Sequence, residues 1–219
     1  MFVAIVPAFN EAKTIGSVVR NLFNHVDKVI VVDDGSKDST SVKAKEAGAI
    51  VIKHKINRGQ GAALQTGHEY AKKISADYVL HFDADEQFVV EDIKPALEKI
   101  TQEKADILFG SRFLGTNSYI PKSKKYILLP LAKLVNKVFG NLKLTDAHNG
   151  FRILNKQAIN KINISQDRMA HASEIPAQVK KHNLKYVEFP VKVVYREYGQ
   201  GIKGGLNIIK DLLFGKFVR

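Results

Sequence analysis

The chain has 219 residues, 45% of them hydrophobic, which is enough for a full core in one large domain or two small ones, and no run approaches the ~18 apolar residues of a membrane-spanning helix. It has no cysteine, which excludes a disulfide framework and thiolate chemistry and fits the cytoplasm. The net charge of +12 is lopsided: residues 1–110 hold 14 Lys/Arg against 16 Asp/Glu, whereas residues 111–219 hold 20 against 6, so the second half predicts an anionic partner such as a nucleic acid, an anionic membrane or a phosphorylated substrate.

In chain order, Phe2 to Val6 is a β-branched apolar strand that Pro7 is expected to end. The run is too short, and lacks the basic leader, for a signal peptide. Asn10 is placed to cap a helix whose Ile15, Val18, Val19, Leu22 and Phe23 recur at helical spacing. Val29 to Val32 predicts a second strand, with Asp33-Asp34-Gly35-Ser36 turning off its end. Ser36 or Asp38 would cap a weaker helix running up to Gly48. Ala49 to Ile52 is a third strand, Gly59 to Lys73 a helix, Tyr78 to Phe82 a fourth strand, Glu91 to Thr101 a helix and Asp106 to Phe109 a fifth strand. This alternation with short connections argues for an α/β fold with a mostly parallel sheet and helices on both faces.

From Gly110 the character changes. A polar loop leads to the basic cluster Lys122, Lys124 and Lys125, then to an apolar segment from Ile127 to Phe139 with helical period. That segment reads equally as an interfacial amphipathic helix, a core-facing helix or a dimer surface. Thr145 to Leu154 is a dense polar cluster, Arg168 to His182 is helical, and Tyr186 to Tyr195 is extended, an edge strand by its Pro190. Asn207 to Phe217 predicts a last amphipathic helix.

The candidate chemistry gathers at strand ends, where open α/β sheets bind ligands. Asp83 and Asp85 leave the fourth strand two residues apart and can aim at one spot. With the amide of Gln87 they offer hard oxygen donors for Mg²⁺ or Mn²⁺, carried in with a phosphate ligand. Asp33 or Asp34 could hold a base and ribose, and Asn57-Arg58-Gly59-Gln60-Gly61 adds an arginine and flexible glycines. Neither the dinucleotide Gly-x-Gly-x-x-Gly nor a Walker-type Gly-Lys-Ser/Thr loop follows the first strand, which disfavours NAD and ATP-type phosphate binding. Taken singly, each segment is an ordinary turn; in this order, one nucleotide site explains them all.

Val6-Pro7-Ala8-Phe9-Asn10-Glu11, Val32 to Thr40, Asn57 to Gly61, Asp83-Ala84-Asp85 and Gly110-Ser111-Arg112-Phe113 together resemble glycosyltransferase family 2. Asp146-Ala147-His148-Asn149-Gly150-Phe151-Arg152 and Tyr195-Arg196-x-x-Gly199-x-x-x-Lys203 extend the resemblance, which is greatest to the dolichol-phosphate mannose synthase and polyprenyl-phosphate glycosyltransferase branch. The pattern departs after the metal motif, where Gln87 is kept but Phe88-Val89-Val90 replaces the usual prolines, and at Asn149-Gly150, where the branch has Ser-Gly.

The resemblance implies a single GT-A domain over residues 1–219, with a nucleotide-binding half (1–110) and a basic acceptor half (111–219). It implies an inverting, metal-dependent hexosyl transfer from a UDP- or GDP-linked sugar. Carried over by motif, Pro7, Phe9, Asn10, Glu11, Asp33, Asp34, Arg58, Gly59 and Asp83 would serve the nucleotide. Asp83, Asp85 and Gln87 would surround the metal. Arg112, Lys122, Lys124, Lys125 and Lys203 would take the acceptor phosphate, and Asp85, Asp146 and Arg196 would be catalytic. The expected acceptor is a polyprenyl phosphate, with the protein peripheral on the cytoplasmic face of an anionic membrane. The alternative acceptor is a sugar hydroxyl, which needs a base, for which Asp146 is the candidate. The non-enzyme alternative, a basic surface for nucleic acid or membrane, lacks any recognised binding module.

Overall fold

A computed structural model of the protein describes residues 1–114 and 142–194. The basic cluster Lys122, Lys124 and Lys125, the segment 127–139, Arg196, Lys203 and the segment 207–217 lie outside the described residues. Phe2–Ala8 (β1) is the longest strand and lies inside a seven-stranded sheet. The other strands are Lys28–Asp33 (β2), Ile50–Lys53 (β3), Tyr78–His81 (β4), Ile107–Ser111 (β5), Arg152–Asn155 (β6) and Tyr186–Pro190 (β7). The order is β3-β2-β1-β4-β6-β5-β7, and β6 alone runs against its neighbours β4 and β5.

Alternation along β1 divides the core. Phe2, Ala4, Val6 and Ala8 face Ile15–Leu22 (α1), Thr40–Glu46 (α2) and Ile93–Gln102 (α4). Val3 and Ile5 face Gln60–Lys73 (α3), Lys156–Lys161 (α5) and His171–Lys181 (α6). Buried central strands covered on both faces explain the continuous apolar runs of β1 and β2. Helix α3 sits unusually close to the sheet, since a Cβ added at Gly67 would stand 2.4 Å from Cγ2 of Ile5. Gly67→Ala is therefore expected to overpack this contact and cost about 1–3 kcal/mol of stability, read as a lower denaturant midpoint at unchanged slope.

Two expectations need correction, and a third is narrowed. Pro7 does not end β1: it pairs with Val32, and β1 runs on to Ala8. The β1–β4 ladder stops at Ile5–His81, so on the side where Pro7 lacks an N–H no strand remains to receive one. Asn10 does not cap α1, which starts at Ile15 behind Thr14. Instead Asn10 takes a left-handed backbone (φ 58°), which asparagine tolerates, and ties two loops together. Asp38, rather than Ser36, meets the start of α2, accepting the Thr40 N–H at 3.0 Å. The strand β6 and helix α5 fall where the sequence shows a polar cluster and no clear period. The edge position of β7 agrees with its Pro190.

Candidate active site

Because every strand but β6 runs the same way, the segments after β1, β2, β3, β4 and β5 emerge on one sheet edge. β6 begins at that edge, so the 145–151 loop leading into it joins them. This reversal brings the second half's polar motif beside Asp83.

The loops are stitched to one another. The Asn10 N–H donates to Ser36 Oγ (2.9 Å), the Lys37 N–H to Asn10 Oδ1 (3.1 Å) and the Glu11 N–H to Thr40 Oγ1 (2.8 Å). Asp33 is fully buried and accepts from the Ser36 N–H (2.7 Å) and Ser41 Oγ, with Lys53 Nζ at 3.7 Å. Burial would raise its pKa, but these donors hold it below the ordinary carboxylate value. Asp34 accepts the backbone N–H of Arg58 (3.0 Å) and of Gly59 (2.6 Å) and pairs with His54 Nδ1 at 2.7 Å. Both aspartates thus fix the shape of the edge from within. Phe9 stands beside them, 44% exposed, a ring surface open to a ligand.

Gly59 has φ 101°, and a side chain there would meet the Asp167 carbonyl at 2.6 Å. The 165–168 segment packs on the start of α3: Asp167 O accepts the Ala62 N–H (3.1 Å), and the Asp167 carboxylate pairs with Arg58 at 3.3 Å. Nothing in the sequence marks this cover, because it joins segments over 100 residues apart.

Asp83 accepts from Gln60 Nε2 at 2.9 Å. Burial, then the charge of Asp85, push its carboxyl up to about 7, against Arg152 and the Gln60 amide, while Glu11 adds to the rise. Asp85 is raised by burial although the Gln87 N–H donates to it at 3.0 Å. Glu11 is raised by burial, with Thr14 opposing and Asp85 and Asp38 adding to the rise. Asp85 and Glu11 both raise Asp83, and Asp85 raises Glu11, so these carboxylates together favour a positive charge among them. Among the described residues no trio of His, Asp and Glu side chains is close enough to hold a metal alone. Glu86, with φ 59°, turns away and accepts from Ser17 Oγ.

The Asp83 shift has a sign that can be tested. In the absence of a cation its carboxyl is half protonated near pH 7, and a cation needs the carboxylate. Metal-dependent nucleotide affinity should therefore rise from pH 6 to pH 8, with proton release at pH 6 visible as buffer-dependent calorimetric heat. The same raised folded pKa means that this group's stabilising contribution is fully present below about 4 and is lost as the pH rises through about 7.

On the other side, Arg112 grips Asp146 in a bidentate pair, Nε to Oδ2 at 2.6 Å and Nη2 to Oδ1 at 2.8 Å. The Arg112 N–H adds 3.1 Å and Asn149 Nδ2 3.4 Å, both to Oδ2. Asn149 Oδ1 accepts the Phe151 N–H (2.9 Å), which closes the turn before β6. His148 reaches solvent, yet local desolvation first, and then the cations Arg152 and Arg112, hold it below its ordinary pKa against the pull of Asp146. Gly150 lies against the donor-side carboxylate: a Cβ there would stand 2.5 Å from Asp83 Oδ2. Phe88 and Gln87 contact Val193 and Val194, so the chain just before Arg196 runs beside the loop of Asp85.

Residues 3–162 match the model of "Glycosyl transferase family 2". The chain belongs to this family. It is 33% identical over 238 residues to the UDP-N-acetylglucosamine–dolichyl-phosphate N-acetylglucosaminyltransferase of Methanococcus voltae, covering 97% of this chain and 94% of that one. It is 25% identical over 217 residues to the polyprenol monophosphomannose synthase of Mycolicibacterium smegmatis, covering 93% and 81%. These relatives fall in the dolichol-phosphate mannose synthase and polyprenyl-phosphate glycosyltransferase branch. The glucosyl-3-phosphoglycerate synthase of Mycobacterium tuberculosis, solved with Mn²⁺, UDP-glucose and phosphoglyceric acid, aligns with a TM-score of 0.73 at 18% identity, over 97% of this chain and 77% of that one. That likeness gives the family 2 transferase its GT-A fold. Among the described residues no helix is long and apolar enough to cross a membrane.

Proposed function

We propose that this family 2 transferase moves a sugar, with inversion, from a nucleotide diphosphate to a polyprenyl phosphate. The observation that carries the choice of acceptor is the Arg112–Asp146 pair. A sugar hydroxyl needs a base with a free oxygen within reach of its proton. Both oxygens of Asp146 are engaged by a guanidinium, so a hydroxyl proton would have to compete with that pair for either of them. A phosphate monoester, with a second pKa of about 6, is largely dianionic near neutrality and needs only positioning. Asp146 then serves by holding Arg112 toward the acceptor side.

On the donor side, Asp85, Asp83 and the Gln87 loop would hold Mg²⁺ or Mn²⁺ together with the diphosphate. When bound, such a cation neutralises charge developing on the leaving group. Pro7, Phe9, Asn10 and Glu11 would border the nucleoside, while Asp33, Asp34, Arg58 and Gly59 keep that edge in shape. Arg196, two residues beyond Val194, would add positive charge near the diphosphate, with Lys203. Lys122, Lys124 and Lys125 would draw the acceptor phosphate, and the surplus of cations in residues 111–219 suits an anionic membrane surface. The relative named for UDP-N-acetylglucosamine makes UDP the first base to test.

The test is a competition. The purified protein is given UDP- or GDP-linked sugars, Mn²⁺, a short-chain prenyl phosphate and an excess of free sugar acceptors, and products are read by mass. Sugar on the prenyl phosphate is expected. Sugar on a hydroxyl, with prenyl phosphate untouched, would favour the Asp146-base reading instead.

A further inference from the structure

Arg152 is the bulkiest fully buried side chain among the described residues, at 1% exposure. Among the described residues its Nε, Nη1 and Nη2 find no hydrogen-bond acceptor. Such a group is expensive to keep. An ion taken out of water without bonded partners weakens a fold, and apolar replacements of buried ions are often neutral or stabilising. Its place shows why it is kept. It opens β6, directly across from His81 on β4, two residues before Asp83. Its guanidinium carbon lies 6.0 Å from the centre of the Phe109 ring on β5. Arg152 thus stands where the donor-side strand and the acceptor-side strand are joined.

Its surroundings leave its charge uncancelled by contact. His81 and His171 are held well below their ordinary pKa, burial first and Arg152 contributing, and His68 beside His81 is held down to about 3 by burial. His148 is lowered too. The negative groups it feels are Asp83 on one side and Asp146 on the other; burial lowers its own pKa to about 10, so it stays cationic near neutrality. Asp146 already answers Arg112, and Asp83 answers Gln60. What Arg152 contributes is a fixed positive charge between Asp83 and Asp146, under the point where a diphosphate and, on the acceptor reading above, a lipid phosphate would meet.

We propose that Arg152 is a positioning residue for the transfer: a buried cation retained for the potential it projects on the two anionic substrates, at a cost to the fold. It touches neither substrate. A preorganised charge in a site shielded from water acts strongly because it needs no reorganisation when the bond breaks.

The experiment compares wild type, Arg152→Met and Arg152→Lys by melting temperature, by calorimetric affinity for UDP with Mn²⁺, and by kcat and KM for transfer. Arg152→Met is expected to melt at or above the wild-type temperature, bind UDP several-fold more weakly and lose about 10- to 100-fold in kcat. Arg152→Lys, which keeps the charge, is expected to recover most of that kcat. An Arg152→Met protein that melts well below wild type, or one with wild-type kcat and UDP affinity, overturns the proposal. So does an Arg152→Lys protein no better than Arg152→Met. If wild type binds UDP but transfers nothing to prenyl phosphate, the acceptor reading fails, while melting and UDP affinity still decide the role of Arg152.

Discussion

Asp85→Ala is expected to lower transfer by at least about 10²–10³-fold while leaving the protein folded. Asp85 leaves the sheet edge past β4, half-buried, held by the Gln87 N–H at 3.0 Å and raised by burial. It lies beyond the end of β4, outside the strand ladder. Removing it relieves like-charge crowding on Asp83 and Glu11, so the melting temperature without metal should hold or rise. The loss falls on the complex with substrate, where charge on the departing diphosphate must be met. A stability screen and a turnover assay on one preparation check this. Retained turnover would remove Asp85 from the metal site.

Gly150→Ala should be nearly as damaging, for a reason found in packing. A methyl group at residue 150 would lie 2.5 Å from Asp83 Oδ2, closer than real Cβ contacts allow, and a tight 3.1 Å from Oδ1. Asp83 is half-buried and held by Gln60, so either its carboxylate or the 145–151 loop must shift. A displacement on the order of 1 Å in a reacting geometry can cost about 10²-fold in rate. The loop is braced by Thr145, whose N–H and hydroxyl both donate to Glu188 at 2.7 Å, and by the Asn149–Phe151 turn. The strain should therefore be passed to Asp83. The expected result is a folded protein with weakened metal-dependent nucleotide binding and about 10²-fold lower turnover, measured by calorimetry and by initial rates. Wild-type affinity would mean that the loop yields instead.

Much of this was legible in the sequence because local chemistry and tertiary position agree in the first half. Apolar runs of four to seven residues separated by helical periods specify a parallel sheet, and a parallel sheet puts all its strand-end motifs on one edge. Asp83, Asp85 and Glu11 converge for that reason alone. What escaped was whatever depends on partners distant in sequence. β6 is four residues long and opens with a buried arginine, so it carries no alternation; its direction follows from its place between β4 and β5. Gln60 looked like one residue of a glycine-rich loop, and only the closeness of α3 to the sheet brings it to Asp83. The engagement of Asp146 by Arg112 spans 34 residues, a pairing that motif spacing does not show. Arg152 and Gly150 sat in plain view within a motif, but their weight comes from burial and a close contact, which spacing does not encode.

The most direct test is calorimetry of UDP and GDP with the wild-type protein, with and without Mn²⁺. The expected result is saturable binding of one nucleotide that requires the cation, is stronger at pH 8 than at pH 6 and disappears in Asp85→Ala. A folded protein that binds neither nucleotide under any of these conditions would contradict the donor site at the strand ends, and with it the reading of the sheet edge as a transferase centre.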